Sequence, residues 1–199
     1  MFFPSTPESP PMFENKFLDG FSRVPWYMVP LVWVPVVVAS FAYGMSALNL
    51  ALLPSLGAAG AGRFVWTFSE YWLHRTLFHW VPKGSWGERF HFFLHGVHHE
   101  YINDRFRLVM PPAAAAVLAA GFYGLWYALM GAWVFPFMAG KIAGYMAYDM
   151  THYYVHHGAV SGPWFKKLRA HHMNHHHNKV ERKFGVSTTL WDHVFRTYA

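Results

Sequence analysis

Two long stretches without a charged residue dominate the pattern of hydrophobic and polar positions along this chain. They cover residues 24–62 and 108–140. A helix needs about 20 apolar residues to cross a bilayer, so each stretch holds one full span, a turn and part of a second span. The pattern therefore predicts two helical hairpins, with four transmembrane helices in all.

Prolines and glycines indicate where each predicted hairpin turns. The first hairpin has its outgoing helix at 26–44, its turn at 53–62 and its returning helix at 63–79. The second has the same three parts at 113–130, 131–140 and 142–157. Both returning helices are therefore expected to emerge on the same side of the membrane.

Histidines at short, regular intervals are the most informative polar positions. The chain has 15, and most fall in four clusters: His74/His79, His95/His98/His99, His152/His156/His157 and His171/His172/His175/His176/His177. Imidazole groups three or four residues apart on a helix lie on one face, where they can converge on a common metal ion. Three of the four clusters contain such a spacing.

His74 and His79 break this rule, because five residues along an α-helix turn a side chain by about 140°. The pair is therefore predicted to reach two neighbouring ions rather than one ion together. His157 follows His156 directly and is turned about 100° away from it, which makes it a weaker candidate ligand. The sequence thus predicts a dinuclear metal centre.

The predicted ligands are His74, His79, His95, His98, His99, His152, His156, His172, His175 and His176. Divided between two ions, they give five nitrogens to each. Structural zinc prefers four ligands in a closed tetrahedron, whereas five nitrogens with an open sixth position suit octahedral iron that binds dioxygen. Iron is therefore predicted at both positions. Zinc lies above ferrous iron in the affinity order and can replace it in purified protein.

Three further residues are predicted to support these ligands. Glu70 and Asp149 lie about one helical turn before His74 and His152, where a carboxylate can accept the outer ring N–H and fix the tautomer. His157 is the third. The other histidines are interpreted as packing or supporting groups: His91, His171, His177 and His193.

Composition and charge agree with a membrane protein that presents its histidines on one side. The chain is 54% hydrophobic and 13% charged, about half the charged fraction of an ordinary soluble domain. Most basic residues, among them Arg75, Lys83, Lys166 and Lys179, fall on the histidine side, which the positive-inside rule makes cytoplasmic. Because these residues flank apolar spans, the net charge of +6 favours anionic lipid headgroups or an acidic electron carrier over nucleic acid. The chain has no cysteine, which excludes disulfides, thiolate zinc sites and iron–sulfur ligation.

Four segments resemble the membrane di-iron fatty acid hydroxylase superfamily, and within it the fatty acid 2-hydroxylases that act on sphingolipid acyl chains. The segments are EYWLHRTLFH at 70–79, HGVHH and RLVMPP within 95–112, YDMTHYYVHH at 148–157, and AHHMNHHH and FGVSTTLWDHVF within 170–195. The ten metal ligands of that family map onto the ten histidines named above.

The resemblance implies dioxygen-dependent hydroxylation at carbon 2 of a long-chain fatty acyl group, in a ceramide or other sphingolipid or in a free fatty acid. It also implies two iron ions and no haem in this chain. The short Pro-rich start has no room for a fused cytochrome domain, so we expect a separate electron-donor protein, of the cytochrome b type. No cleaved signal peptide is expected. The implied location is the endoplasmic reticulum in a eukaryote or the inner membrane in a bacterium.

We therefore expect an all-α integral membrane protein. Its four transmembrane helices form two hairpins, and a cytoplasmic histidine-rich helical dome holds a dinuclear metal site. Residues 1–23 are expected to form a Pro-rich N-terminal tail, and its first twelve residues, with Pro4, Pro7, Pro10 and Pro11, are expected to be loose or to lie on the surface. Residues 24–199 are expected to form the membrane fatty acid hydroxylase domain.

Three other functions share part of this pattern. A sterol or carotenoid oxidase or desaturase of the same superfamily has the histidines but not the segments RLVMPP and FGVSTTLWDHVF. A histidine-rich metal transporter places its ionisable ligands near the bilayer midplane, whereas the histidines here extend beyond the predicted spans. A membrane cytochrome with two histidine haem ligands needs far fewer histidines.

Overall fold

The structure, a computed structural model, describes residues 6–178 and 181–199. Pro4 and Lys179, named above, lie outside the described residues. The α-helices are α1 (Lys16–Phe21), α2 (Met28–Ser46), α3 (Leu52–Trp72), α4 (Gly87–His91), α5 (Val97–Glu100), α6 (Pro112–Met130), α7 (Val134–His157), α8 (Pro163–His177) and α9 (Leu190–Val194). Two π-helical segments, Leu73–Phe78 and Phe92–Gly96, and a 3₁₀ turn, Gly131–Trp133, complete the regular structure. The predicted all-α class is confirmed for the described residues, in which the only β feature is an isolated bridge between Thr6 and Ser9.

These helices belong to two compact units. The hairpin unit consists of Tyr27–Phe68 and Met110–Asp149. The histidine unit consists of the described parts of Met1–Trp26, Ser69–Val109 and Met150–Ala199. All ten predicted metal ligands belong to the histidine unit.

In the hairpin unit, α6 and α7 run antiparallel. The ring of Trp126 packs 4.6 Å from the ring of Phe137, and the ammonium group of Lys141 lies 4.1 Å from the centroid of the Phe122 ring. As the residue from α6 lies further before the break, its partner from α7 lies further after it, which is the pattern of a helical hairpin. The break itself contains Gly131, whose φ of 55° lies in the left-handed region that favours glycine.

α2 also runs antiparallel to α7. The hydroxyl of Ser40 donates to the carbonyl oxygen of Phe135 at 2.8 Å, near the start of α7. The ring of Trp33, nearer the start of α2, packs 5.8 Å from the ring of Tyr145 further along α7. The chain therefore reverses direction between these two contacts.

α3 runs parallel to α7 and crosses it at very short range. Ala59 lies against Gly140, and seven residues later the ring of Trp66 packs 5.5 Å from that of Tyr145. A Cβ atom added at Gly140 would lie 1.8 Å from the carbonyl oxygen of Ala59, and one at Gly62 would lie 1.9 Å from a carbonyl oxygen of α7. The two glycines therefore allow the two backbones to touch.

The predicted turns are too long. α3 begins at Leu52 and α7 at Val134, so the regions 53–62 and 131–140 are largely helical. Pro54 and Pro136 lie in the first turns of these helices, where backbone N–H groups have no partner within the helix and proline is tolerated. Gly62 and Gly140 serve the helix crossing instead of a turn, whereas Gly131 lies in the break between α6 and α7.

Two helical stretches among the described residues are long and apolar enough to cross a membrane, Met28–Ser46 and Pro112–His157. The second contains both α6 and α7 and is longer than the roughly 20 residues that one span needs. α3 has 21 residues but carries Arg63 and Glu70. Helix length and composition thus identify two candidate spans where four were predicted.

The N-terminal segment is folded from Ser9 onward. Asp19 accepts charged hydrogen bonds from Arg23 and Arg107, and all three side chains are buried. Arg107 also donates to the carbonyl oxygen of Pro10 at 2.7 Å. These contacts hold Pro10 and Asp19 against Arg107, and the division of the chain after residue 23 stays a prediction.

Candidate metal centre

The ten histidines predicted as ligands fall into two groups of five. The first histidine group consists of His74, His79, His95, His99 and His175, and the second of His98, His152, His156, His172 and His176. Within each group, one ring nitrogen from every histidine lies within 4.8 Å of the others. Each group can therefore hold a metal ion.

Helical spacing accounts for most of this division. Histidines four residues apart stay in one group: His95 with His99, His152 with His156, and His172 with His176. The histidine lying between the members of a pair belongs to the other group, as His98 and His175 do. The sets His95/His98/His99 and His172/His175/His176, whose spacing allows convergence on one ion, therefore each contribute to both groups.

His74 and His79 share the first group, so the prediction that they reach different ions is wrong. The chain between them is the π-helical segment Leu73–Phe78. Backbone hydrogen bonds in a π-helix join residues five apart, so such residues lie one above the other on the same side. The prediction assumed an α-helical turn, and the wider turn brings the two rings together.

The ring nitrogens within each group have the separation that metal ligands need. In the first group, the Nε2 atom of His95 lies 3.1 Å from that of His74 and 3.0 Å from that of His99. In the second group, the Nε2 atoms of His152 and His172 are 2.8 Å apart. Adjacent ligands at roughly 2.1 Å from an octahedral ion are separated by about 3.0 Å. The donor atoms therefore fit an ion whose adjacent ligands lie at right angles.

Two backbone carbonyl groups orient ligands of the first group. The Nδ1 atom of His74 donates to the carbonyl oxygen of Phe184 at 2.6 Å, and that of His175 donates to the carbonyl oxygen of Arg182 at 2.7 Å. A proton held on Nδ1 leaves the lone pair of Nε2 available for a metal ion. The segment 182–184 thus fixes the tautomer of two histidines.

Glu70 supports this segment and not the ring of His74 directly. Its carboxylate accepts the N–H groups of Val186 at 2.8 Å and Ser187 at 2.7 Å, and also the Ser187 hydroxyl. The acceptor for His74 is the Phe184 carbonyl. The predicted direct bond from His74 to Glu70 is therefore replaced by an indirect one, through the backbone that Glu70 holds.

A second carboxylate, which the sequence interpretation missed, holds the same segment. Asp192 accepts the N–H groups of Phe184 at 2.9 Å and Gly185 at 2.8 Å, and it binds His171 Nε2 at 3.1 Å. Burial alone would raise the pKa of Asp192, but these hydrogen bonds and one from Thr197 lower it below its usual value. Its place in the segment FGVSTTLWDHVF was the available signal.

The other predicted supporting residues contribute less to the two groups. Asp149 is buried and accepts the N–H of Met110 at 3.3 Å, and its support of His152 stays a prediction. His157 is half-buried, belongs to neither group and packs 5.1 Å from the ring of Tyr153. The histidines interpreted as packing groups also lie outside both groups: His91, His171, His177 and His193.

Burial keeps the histidines in their metal-binding form. It lowers the pKa of His172 well below 6.5, and the nearby His152 lowers it further. Burial and the neighbouring His175 lower the pKa of His99 to about 3. A neutral imidazole is the form that binds a metal ion, so at neutral pH the folded chain presents these histidines in a form that could bind one.

Comparison with known proteins identifies relatives that are similar to this chain over most of its length. Residues 59–197 match the model of the fatty acid hydroxylase family. The chain is 40% identical over 192 residues to the dihydroceramide fatty acyl 2-hydroxylase FAH2 of Arabidopsis thaliana, covering 96% of this chain and 80% of the relative. It is 40% identical over 194 residues to the ceramide very long chain fatty acid hydroxylase SCS7 of Saccharomyces cerevisiae, covering 96% of this chain and 50% of the relative.

A solved structure of full-length Scs7p, in which only the hydroxylase domain is visible, has a similar fold. Its TM-score with this chain is 0.89 at 39% sequence identity, covering 96% of this chain and 72% of that one. The resemblance inferred from four segments is thus confirmed. The matched region contains both histidine groups and extends over more than half of the chain. The chain therefore belongs to the fatty acid hydroxylase family.

Proposed function

We propose that this enzyme hydroxylates carbon 2 of the long acyl chain of a sphingolipid. The observation that carries the proposal is the pair of five-histidine groups, in a chain similar to hydroxylases whose names specify ceramide or dihydroceramide. These names favour an acyl chain over the sterol and carotenoid alternatives. Membership of the hydroxylase family likewise argues against the transporter and haem alternatives.

Iron is the metal that we propose for both groups. Five neutral nitrogens leave one position open on an octahedral ion, and that position is what a reaction with dioxygen requires. The proposed reaction consumes one dioxygen molecule, two electrons and two protons, and it converts a C–H bond into C–OH with release of one water. Bound iron supplies the redox chemistry with dioxygen, which protein side chains alone do not provide.

The residues of the chain hold the ions and exclude water. The carbonyl groups of Arg182 and Phe184 keep protons on Nδ1 of their histidine partners, so the lone pair of Nε2 would be free to bind an ion. The ring of Phe184 packs 5.7 Å from that of His74, and the ring of Phe78 stacks on His95 at 5.3 Å. These apolar walls limit the access of water to the ligands.

We also propose that α2, α3, α6 and α7 all cross the membrane. Their alternating directions support this proposal, because the chain then enters and leaves each hairpin at the same end of the hairpin unit. Most basic residues belong to the histidine unit, so the positive-inside rule assigns the metal centre to the cytoplasmic side. That side faces the cytoplasm in the endoplasmic reticulum of a eukaryote and in the inner membrane of a bacterium.

This orientation explains why carbon 2 is the expected site. In this proposal the polar head of the substrate stays at the membrane interface, while the tail extends into the apolar interior of the bilayer. Only the carbons next to the carboxyl or amide group then lie beside the ions. The two electrons are proposed to come from a separate donor protein.

Lipid analysis tests the proposed function. Cells that lack their own 2-hydroxylase and express this chain should gain sphingolipids with a 2-hydroxyl group, and growth under isotopically heavy dioxygen should label that hydroxyl. The label should disappear in His95→Ala. A mid-chain hydroxyl, a new double bond or label arriving only from water would each contradict the proposal.

Metal replacement tests the choice of iron. Zinc is expected to occupy the site in purified protein, because it lies above ferrous iron in the affinity order, and this form should be inactive. Ferrous iron, dioxygen and a reductant should restore hydroxylation. Equal activity of a strictly zinc-loaded sample would refute the proposed metal.

A further inference from the structure

A stack of three rings leads from the surface of the histidine unit to its interior. The ring of His193, which is exposed, lies 3.9 Å from the ring of Tyr198, and the planes of the two rings differ by 20°. Tyr198 in turn stacks on His171 at 5.1 Å and 22°. His171 is buried, so the stack runs from solvent to the core without a gap.

The inner end of this stack connects to both histidine groups. His171 shares a peptide bond with His172, which belongs to the second group. His171 Nε2 also binds Asp192 at 3.1 Å, and Asp192 accepts the N–H of Phe184 at 2.9 Å. The Phe184 carbonyl then binds His74 of the first group at 2.6 Å. The inner end of the stack is therefore linked, through a peptide bond or through hydrogen bonds, to one histidine of each group.

Four basic residues lie near Tyr198 and the outer part of the stack. The ammonium groups of Lys167 and Lys183 lie 5.6 and 5.3 Å from the centroid of the Tyr198 ring. Arg182 donates to the carbonyl oxygen of Ala199, beside Tyr198, at 2.6 Å and is exposed. Arg196, two residues from Tyr198, is exposed as well. Such a patch attracts a partner that carries negative charge.

We propose that an acidic one-electron carrier protein docks over His193 and Tyr198 and passes its electrons through the ring stack to the metal ions. This inference rests on the proposed function, because only a redox reaction at the histidine groups requires electrons. Each turnover takes two electrons. Two carrier molecules each give one electron, or a single carrier gives one electron in each of two encounters. The two electrons from the carrier, together with two protons from the solvent, convert one oxygen atom of dioxygen to water. The other oxygen atom enters the substrate.

The stack explains why the two features occur at one place. Anionic lipid headgroups would also bind Lys167 and Lys183, but binding of a headgroup does not require aromatic rings that extend into the core. A redox partner needs both a charged docking surface and a short path to the ions. Redox encounters of this kind use small, salt-sensitive interfaces, and a few charges suffice to guide them.

The first experiment measures docking on the metal-free protein in nanodiscs of uncharged lipid, with a soluble acidic cytochrome b as the probe. The double variant Lys167→Glu/Lys183→Glu should bind the cytochrome at least tenfold more weakly at low salt, and the difference should shrink at high salt. The control Lys83→Glu/Arg89→Glu carries the same change in charge on exposed residues and should bind like the parent protein. Equal losses in both variants would overturn the proposal.

The same pair of variants separates the carrier from a lipid surface. If Lys167→Glu/Lys183→Glu weakens binding to vesicles that contain an anionic lipid but leaves the affinity for the cytochrome unchanged, the patch is a membrane contact and the proposal is wrong. Metal content and circular dichroism equal to the parent protein establish that the variant is folded.

The second experiment measures the electron path. Reduced cytochrome is mixed rapidly with the iron-loaded protein without air, and the reoxidation of its haem is followed by absorbance. Tyr198→Leu should slow this step at least tenfold with an unchanged Kd, whereas Tyr198→Phe, which keeps the ring, should remain close to the parent rate. A parent-like rate in Tyr198→Leu would overturn the ring path.

A chemical reductant distinguishes this inference from the proposed function. Dithionite reduces the ions without a docking surface, so dioxygen admitted after the excess dithionite is removed should give one round of hydroxylation equally in the parent protein and in the Tyr198 and lysine variants. If the parent protein does not hydroxylate the lipid with dithionite, the proposed function fails. If it does, and the variants accept electrons from the cytochrome as the parent does, only the docking inference fails.

Discussion

The Nδ1 atom of His74 lies 2.6 Å from the carbonyl oxygen of Phe184, a residue 110 positions further along the chain. This bond ties a proposed metal ligand to a segment that contains no ligand itself. Glu70 and Asp192 hold that segment through four backbone N–H groups. The orientation of the ligand therefore depends on two carboxylates that do not belong to either histidine group.

Loss of one of these carboxylates should weaken metal binding without removing a ligand. Glu70→Ala leaves the N–H groups of Val186 and Ser187 without an acceptor and frees the segment that orients His74. We expect a loss of about 10- to 100-fold in metal affinity, measured by competition with a chelator.

Two matched variants test the reason for this loss. Glu70→Gln keeps a side-chain oxygen that can accept both N–H groups, so it should retain more affinity than Glu70→Ala. The exposed Glu88→Ala should behave like the parent protein. Parent-like metal affinity in Glu70→Ala would contradict the supporting role.

Removal of any one ligand should abolish turnover, and His98→Ala and His175→Ala are the most informative cases. Each of these histidines lies between two ligands of the opposite group, so its loss tests the observed division directly. Turnover should fall to background, and the metal content, measured by mass spectrometry, should drop below two ions per chain.

His157→Ala and His177→Ala are the controls, because both histidines lie outside the two groups. They should keep most of the activity and the full metal content. Full activity with two ions per chain in His98→Ala would show that the ligand set is wrong.

The crossing of α3 and α7 should tolerate no side chain at its centre. Gly62→Ala and Gly140→Ala each place a Cβ atom within 2 Å of a backbone carbonyl oxygen, which flexible side chains cannot relieve. We expect a loss of roughly 1–3 kcal/mol, or more, in the free energy of unfolding, seen as a lower Tm.

Gly57→Ala and Gly60→Ala in the same helix are matched controls, because an added Cβ there meets nothing within 4 Å. They should leave the Tm unchanged or raise it, since alanine favours a helix over glycine by about 1 kcal/mol. A similar loss in all four variants would mean that the close crossing is not the cause.

The metal-free protein should lose stability as the pH falls below 6.5. Burial lowers the pKa of His98, His99 and His172 in the folded chain, while the unfolded chain has ordinary values near 6.5. Below that pH the unfolded chain binds protons that the folded chain does not, so acidification favours unfolding. Denaturant unfolding from about pH 8 to about pH 5 measures the effect. A free energy of unfolding that stays constant or rises over this range would contradict the burial of neutral histidines.

Single engineered cysteines test the proposed membrane arrangement, and labelling is unambiguous because the chain has no cysteine of its own. Ser85→Cys and Thr188→Cys, both in the histidine unit, should react with an impermeant reagent from the same face of the membrane. Ala47→Cys, in the turn between α2 and α3, should react from the opposite face. Labelling of Ser85→Cys and Thr188→Cys from opposite faces would exclude the two-hairpin arrangement.

The sequence alone could predict which histidines four residues apart lie together, because helical spacing is a local property. Residues four apart on a helix share a face whatever the rest of the chain does, and the pairs His95/His99 and His172/His176 follow this rule. The placement of His74 with His79 could not be predicted in the same way. It depends on a π-helical turn, and nothing in the local pattern of hydrophobic residues distinguishes that turn from an α-helical one.

Contacts between distant segments were also beyond local patterns. The glycines at positions 62 and 140 look like turn residues in the sequence, and only the packing of α3 on α7 gives them another purpose. The bond between His74 and Phe184 has no sequence signature, because a backbone carbonyl is present at every residue. Glu70 was predicted to bind His74 directly, but its partners Val186 and Ser187 lie in a segment that spacing alone does not bring near.

His98 and His175 each lie between two histidines of the other group, so the two groups share the helical segments that carry them. An ion in the first group fixes the helical turn at 95–99 and part of α8, and both segments also carry ligands of the second group. If the first ion restricts the motion of these shared segments, the second ion binds more tightly, which is positive cooperativity. At limiting metal the protein should divide into empty and doubly loaded chains, and half-loaded chains, unable to complete the reaction, stay scarce.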